Sequence, residues 1–294
     1  MQYLIYILLY PILLLISILP FKLLYLFSDI VCFLVYRIIG YRTKIVRNNL
    51  LIALPNLSDS ERKIIEKKFY SHMCDLFLEM IKTMTISQNE IEKRFTFTNL
   101  ETYIDLEKKG KSIALVCSHY ASYEWVLSMN KYINFKGYGI YKRVNNKYFD
   151  QLVRKIRSRF KAHLITTRET KSVIENNSIN GVLSLYGFAS DQSPLVKPNT
   201  YWSTFMGIET PVYVGAEMLS KRFDMNMVFL KTRKIKRGYY QAEIELLAEN
   251  VRDIPDFQIT ELFLRKVETL IHEAPEFYLW THKRWKHRNK NTTI

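Results

Sequence analysis

The chain opens on an unbroken apolar stretch: residues 1–21 carry no charged side chain. As a helix rising about 1.5 Å per residue it would extend roughly 30 Å, the thickness of a bilayer's hydrocarbon core. Pro11 would kink it, which lipid or a neighbouring helix accommodates. A cleaved signal peptide would place a basic residue before the run and a small-x-small site after it, and neither is present. A buried core helix is the remaining alternative to an N-terminal transmembrane or membrane-associated helix. Lys22, Arg37, Arg42, Lys44 and Arg47 follow, with Asp29 the one acid among them, so the positive-inside rule places everything downstream in the cytoplasm. Residues 23–40 are also apolar but are interrupted by Asp29 and Arg37. They read as a helix at the interface, with a helical hairpin as the alternative.

Farther along, the pattern changes. Ser58 and Glu61 have capping-box spacing, and apolar residues recur at helical spacing from there to about Met84. Residues 112–117 (SIALVC) predict a short buried strand and 120–132 a helix, giving a strand–turn–helix junction at Ser118 and His119. Phe149, Leu152, Val153, Ile156 and Phe160 trace one face of an amphipathic helix. Residues 181–186, 225–230 and 239–246 predict strands, and 212–222 and 257–272 helices. Strands alternating with helices argue for an α/β fold with a mostly parallel sheet. The last two strands are close enough in sequence to form an antiparallel pair across 231–238.

Composition narrows the class. The chain is 48% hydrophobic with only 9 Gly and 8 Pro in 294 residues, which excludes a disordered or low-complexity protein. Cys32, Cys74 and Cys117 lie far apart, so neither a disulfide framework nor a zinc knuckle is indicated, and a reducing compartment fits. The 43 Lys and Arg against 28 Asp and Glu leave a net charge of +15, which calls for an anionic partner. The excess concentrates in residues 142–161, 231–237 and 277–294. Behind an apolar anchor these runs favour anionic lipid, an acidic carrier protein and the phosphates of a glycolipid. No nucleic-acid-binding signature accompanies them.

The most informative local feature is His119 with Glu124 five residues on, at the predicted strand-to-helix junction. With His119 in the turn and Glu124 one helical turn up, the carboxylate would reach back to the imidazole Nδ1 and leave Nε2 free as a general base. The helix N-terminus would offer backbone N–H groups to developing negative charge. Taken alone, a histidine beside a strand is more often structural than catalytic. Cys117 closes an apolar strand and Ser118 has no GxSxG context, so neither reads as a nucleophile.

His119 and Glu124, then Tyr141–Lys142–Arg143, then Asp191–Gln192, then Thr210–Pro211 form an ordered series that resembles the four blocks of glycerolipid-type acyltransferases. More closely, it is similar to the late acyltransferases of lipid A biosynthesis, the lauroyl/myristoyl transferase family. Arg47–Asn48–Asn49–Leu50, Asp191 to Pro194, Phe205–Met206–Gly207, Gly215–Ala216 and the segment Tyr278 to Lys286 extend the resemblance over nearly the whole chain. Met206 departs from it, standing where a second aromatic is frequent.

The resemblance implies a mixed α/β sheet flanked by helices, with residues 1–40 as membrane anchor and interfacial helix and 41–294 as the acyltransferase domain. It implies transfer of a fatty acyl chain from an acyl-carrier-protein thioester to a hydroxyl of a lipid A precursor at the bacterial inner membrane. His119 would be the base, oriented and charge-stabilised by Glu124. Arg143 would bind a phosphate or the oxyanion, and Asp191 would position substrate or pair with Arg143. Gln192, Tyr141 and Pro211 would line the substrate site. Neither a metal nor a resident cofactor is expected, since the donor brings its own phosphopantetheine thioester. Another lipid acceptor with acyl-CoA as donor, or a non-catalytic lipid-binding protein, are the competing readings.

Overall fold

The computed structural model describes residues 2–288; Met1 and the end of the basic tail, with Lys290, lie outside the described residues. Among the described residues there are nine strands, most of them separated by helices: β1 (Phe95–Thr98), β2 (Ile113–Cys117), β3 (Lys136–Tyr141), β4 (His163–Thr166), β5 (Ser184–Ala189), β6 (Trp202–Phe205), β7 (Ile208–Pro211), β8 (Asn226–Lys236) and β9 (Tyr239–Ala248). Seven of them form one sheet in the order β1-β9-β8-β2-β5-β3-β4, and β6 and β7 pair separately as a hairpin. All neighbours in the large sheet are parallel except the antiparallel pair β8–β9. β2 stands at its centre with every residue buried, which is what a continuous apolar run does in a parallel sheet covered on both faces.

The helices are α1 (Gln2–Ile18), α2 (Phe21–Cys32), α3 (Thr43–Ala53), α4 (Asp59–Lys82), α5 (Gln88–Arg94), α6 (Leu100–Lys108), α7 (Lys147–Arg157), α8 (Thr170–Ile179), α9 (Gly215–Phe223) and α10 (Gln258–Glu273). The predicted capping box is formed: Ser58 accepts from the Glu61 N–H, and Glu61 accepts from the Ser58 N–H at 2.7 Å. In α10, Ile259, Phe263, Val267 and Leu270 recur at spacings of four, four and three and are buried.

Four predictions shift. The strand expected at 181–186 begins three residues later, because Gly181 adopts φ +65° just past the end of α8 and leaves Val182 and Leu183 exposed before β5 starts. The helix expected from 212 starts at Gly215. The helix expected at 120–132 is a 3₁₀ turn over Trp125–Lys131 only, preceded by an irregular stretch in which Ala121 takes φ +48°. Finally, 231–236 is strand, and the reversal between β8 and β9 is confined to Arg237 and Gly238. Gly238 is required there: at φ +75° a Cβ would lie 1.9 Å from the Tyr25 hydroxyl.

The apolar N-terminus divides differently from its prediction. α1 has 17 residues, about 26 Å at 1.5 Å per residue, and Pro20 starts a separate helix instead of extending the run. No single helix among the described residues is long and apolar enough to cross a membrane. The pair Phe21–Ile38 and Thr43–Ala53 meets that criterion only jointly, across a bend of 86°. Leu13 and Ile16 of α1 pack with Leu24 of α2 and with Leu78 and Ile81 of α4. The opposite side stays bare: Leu4, Leu8, Ile12 and Leu15 on α1, and Leu23, Leu26, Ile30 and Phe33 after Pro20, are all exposed. Their spacings of three and four make each series a stripe along one helical face.

Buried carboxylates of α4 fasten α2 to the β8–β9 end. Asp75 accepts from Ser28 at 2.8 Å and from two nitrogens of Arg237 at 2.9 and 2.7 Å, with Lys234 at 3.7 Å. Glu79 accepts from the hydroxyls of Tyr25 at 2.8 Å and Tyr240 at 2.9 Å. The basic run 231–237 is thus largely ion-paired, with Lys231 on Glu245, Arg233 on Glu273, and Arg237 on Asp29 and Asp75, while Arg233 and Lys236 stay exposed. Most of the charge that its sequence suggested was free is therefore balanced by carboxylates of the same chain. Asp75→Ala would leave Lys234 and Arg237 without this buried partner, and its melting curve should show a loss of about 3–5 kcal/mol. Ser58→Ala, which removes only an exposed cap, should cost about 1 kcal/mol. Equal losses would deny the cluster its role.

Candidate active site

The site follows from strand register. β2 and β5 are adjacent and parallel, with Cys117 opposite Ala189. His119 and Asp191 each lie two residues beyond these paired ends, so neighbouring strands deliver both side chains to the carboxyl edge of the sheet, where open α/β folds place their ligands. The Ser190 N–H bonds to the Cys117 carbonyl at 3.2 Å and carries the pairing one residue farther.

Asp191 is buried and His119 is 18% exposed. One carboxylate oxygen, Oδ1, takes both the His119 backbone N–H at 3.0 Å and the imidazole Nδ1 at 2.7 Å. Because a carboxylate only accepts, Nδ1 carries the hydrogen, and in the neutral imidazole Nε2 is the nitrogen with the lone pair. Burial disfavours a charged imidazole, but the attraction and hydrogen bond of Asp191, with the charge of Glu124 behind it, outweigh burial and hold the His119 pKa above its ordinary value. Burial likewise pushes the Asp191 carboxyl up, and the attraction and hydrogen bonds of His119 bring it below its ordinary value. The two shifts describe one coupled pair that favours imidazolium beside carboxylate. Tyr123 stands edge-on to the imidazole, with ring centroids 5.0 Å apart.

Glu124 does not make the bond expected of it. Its oxygens are taken by Arg157 of α7, at 2.8 Å from Nε and 2.5 Å from Nη2. The reason is local: the helix that would have aimed Glu124 back at His119 is absent, and Glu124 only precedes the 3₁₀ turn. The helix N-terminus expected just after His119 is not formed there, and the Tyr120 and Ala121 N–H groups are bound to the carbonyls of Ser118 and Phe277. The charges of Glu124 and Arg157 still act on the imidazole, in opposite directions.

The other predicted residues are placed as follows. Arg143 is 71% exposed, 3.9 Å from Asp150, and is not paired with Asp191. Asp191 is committed to His119, which replaces the expected Arg143 pairing. Tyr141 is buried with its hydroxyl on Asp150 at 3.2 Å. Gln192 is half-buried beside Asp191, and the buried Pro211 gives its carbonyl to Arg284 at 3.0 Å. Cys117 is a poor nucleophile, since burial and the nearby Asp191 push its thiol up to about 12.

Sequence reasoning passed over Arg157, counting it only as charge. The signal was its place: four residues after Val153 and one after Ile156, it borders the apolar face of α7, where a guanidinium needs a partner. Among the described residues no group of three or more His, Cys, Asp or Glu side chains is arranged to hold a metal ion.

Replacing Asp191 by Asn removes the charge that opposes burial, so the His119 titration midpoint should fall below the ordinary value of about 6.5. In the wild type the basic form of His119, and any reaction needing it, rises as pH is raised through an elevated midpoint. In Asp191→Asn that rise moves to lower pH. Histidine-selective NMR reads both midpoints, and an unmoved His119 signal would contradict the coupling.

Two comparisons bear on this site. The family model described as bacterial lipid A biosynthesis acyltransferase matches residues 1–287. The chain is also 27% identical over 259 residues to the lipid A biosynthesis lauroyltransferase of Escherichia coli (strain K12), covering 87% of this chain and 82% of that protein. With a family model spanning almost its full length and a histidine–carboxylate pair at the sheet edge, the chain belongs to the bacterial lipid A biosynthesis acyltransferase family and is an acyltransferase.

Proposed function

We propose that the protein moves a fatty acyl chain from an acyl-carrier-protein thioester to a hydroxyl of a lipid A precursor, with His119 as general base. The observation that carries this reading is the His119–Asp191 bond: a carboxylate on Nδ1 fixes the tautomer that leaves Nε2 free to accept a proton. Nε2 takes the hydroxyl proton as the oxygen attacks the thioester carbonyl. The tetrahedral intermediate then collapses, the C–S bond breaks, and the departing thiolate recovers the proton from the imidazolium. Asp191 stabilises that imidazolium while it lasts. Glu124 and Arg157 act as a bidentate pair beside it: Glu124 holds the guanidinium in place, and Arg157 brings positive charge near the reacting carbonyl.

The bare apolar stripes on either side of Pro20 support seating of the enzyme on the cytoplasmic face of the bacterial inner membrane. Exposed series of Leu, Ile and Phe gain roughly 25 cal/mol per Å² on entering the acyl boundary. Arg143, with Lys142 and Lys147 near it in the sequence, supplies exposed positive charge suited to the phosphates of a glycolipid or to an acidic carrier protein.

Detergent-solubilised protein assayed with acyl-carrier-protein and acyl-CoA donors and a tetra-acylated lipid A precursor tests this directly. The wild type should O-acylate the precursor from the carrier-protein donor. His119→Ala should reduce the rate about 10²–10⁴-fold while still folding, with a lowered melting temperature because the buried Asp191 loses its partner. Glu124→Ala should lose rate and about 3 kcal/mol of stability together, because Arg157 is left without its carboxylate. A fully active His119→Ala would end the proposal, and transfer from acyl-CoA alone would reassign the donor.

A further inference from the structure

Two motifs far apart in the sequence meet in the fold beside the His119–Asp191 pair. Asn49, from the Arg47–Leu50 segment of α3, uses its side-chain N–H groups to hold the carbonyls of Trp280 and His282, each at 2.7 Å. Arg42, just ahead of α3, binds the carbonyl of Thr281 at 3.0 Å. The segment gripped in this way, residues 277–285, runs across the sheet's carboxyl edge. Its Phe277 carbonyl accepts from the Ala121 N–H at 3.0 Å, and its Leu279 N–H donates to the His119 carbonyl at 3.1 Å. Farther along, Arg284 is fully buried and donates to the Thr210 hydroxyl and the Pro211 carbonyl, each at 3.0 Å. Trp285 donates to the Phe205 carbonyl at 3.2 Å, so the same segment holds both strands of the β6–β7 hairpin.

The decisive contact is at His282, whose Nε2 accepts the backbone N–H of Ser193 at 3.2 Å. Asp191 therefore sits between two fixed points, Ser190 on Cys117 and Ser193 on His282. Beyond Ser193 the chain has no regular structure until β6. We propose that His282 is a positioning residue: with its backbone carbonyl held by Asn49, its neutral imidazole fixes the strand end that carries Asp191 and so keeps Oδ1 on His119 Nδ1. An imidazole nitrogen accepts a hydrogen bond only when unprotonated. Burial holds His282 low, at about 4, so it is neutral at ordinary working pH. Without it, Asp191 would be anchored on one side only, and a displacement of about 1 Å in a catalytic pair costs on the order of 10²-fold in rate.

The inference rests on the acyl-transfer reading for its kinetic arm but not for its structural one. Full-length protein in detergent is prepared as wild type, His282→Leu, His282→Gln and Asn49→Leu, and each is checked by its melting curve. His282→Leu should lower kcat by about 10- to 100-fold, with KM for donor and acceptor changed less than about twofold. Histidine-selective NMR should show the His119 midpoint falling toward its value in Asp191→Asn. His282→Gln, whose amide oxygen accepts the Ser193 N–H, should recover most of both, and Asn49→Leu should shift both in the same direction by less. A folded His282→Leu with wild-type kcat and an unmoved His119 midpoint overturns the proposal, as does a folded His282→Gln that is as impaired as His282→Leu. If the wild type transfers no acyl group yet the His119 midpoint still falls in His282→Leu, the acyl-transfer reading fails and the positioning role stands.

Discussion

A buried carboxylate that is not protonated has to be met by a positive or hydrogen-bonding partner. In this protein that requirement falls on Asp191, and the β2–β5 register is what satisfies it. Two parallel strands end side by side, and the residue two beyond each end completes the pair. Both partners are shifted in the sense that favours the ionic form, so the arrangement stabilises the imidazolium that forms once Nε2 of the neutral imidazole has taken a proton. A buried ion pair contributes little to stability on balance. Its placement at the strand ends is more readily understood through chemistry, where a pre-oriented base with a stabilised conjugate acid lowers the barrier to proton transfer.

The helices that carry the exposed apolar stripes are joined to this pair mechanically. α1 packs on α7 through Tyr6 and Tyr148, whose rings stack at 5.7 Å, and α7 ends at Arg157, which grips Glu124. From the other side, α2 is fastened to α4 and the β8–β9 turn by Asp75 and Glu79, and α3 holds the segment that reaches His119. Elements suited to lipid contact and elements that carry the reaction thus share side-chain partners.

Much of the scaffold was legible because it follows from local rules. The Ser58–Glu61 box, the apolar run of β2, the face of α7 traced by Leu152 and Ile156, and the antiparallel last pair are each set by neighbours within a few residues. His119 was legible from its junction, and the ordered motifs led to the family. Its partner was not: spacing pointed to Glu124 five residues away, whereas the bond is made by Asp191, 72 residues on, through strand pairing that no local pattern encodes. The irregular stretch around Ala121 replaced the helix on which the Glu124 expectation depended. Charge runs misled for a similar reason, since 231–237 reads as a free basic patch until its carboxylate partners arrive from α2, α4, β9 and α10.

In the proposed reaction, Nε2 of His119 faces the acceptor hydroxyl while Asp191 holds Nδ1. A structure of the enzyme bound to an unreactive acyl-donor analogue and a lipid A precursor measures this most directly. The acceptor oxygen should lie about 2.6–3.2 Å from Nε2, with the Asp191 bond retained and Glu124 still on Arg157. An acceptor hydroxyl held by Glu124 with His119 turned away, or an imidazole released from Asp191 when substrate binds, would contradict it.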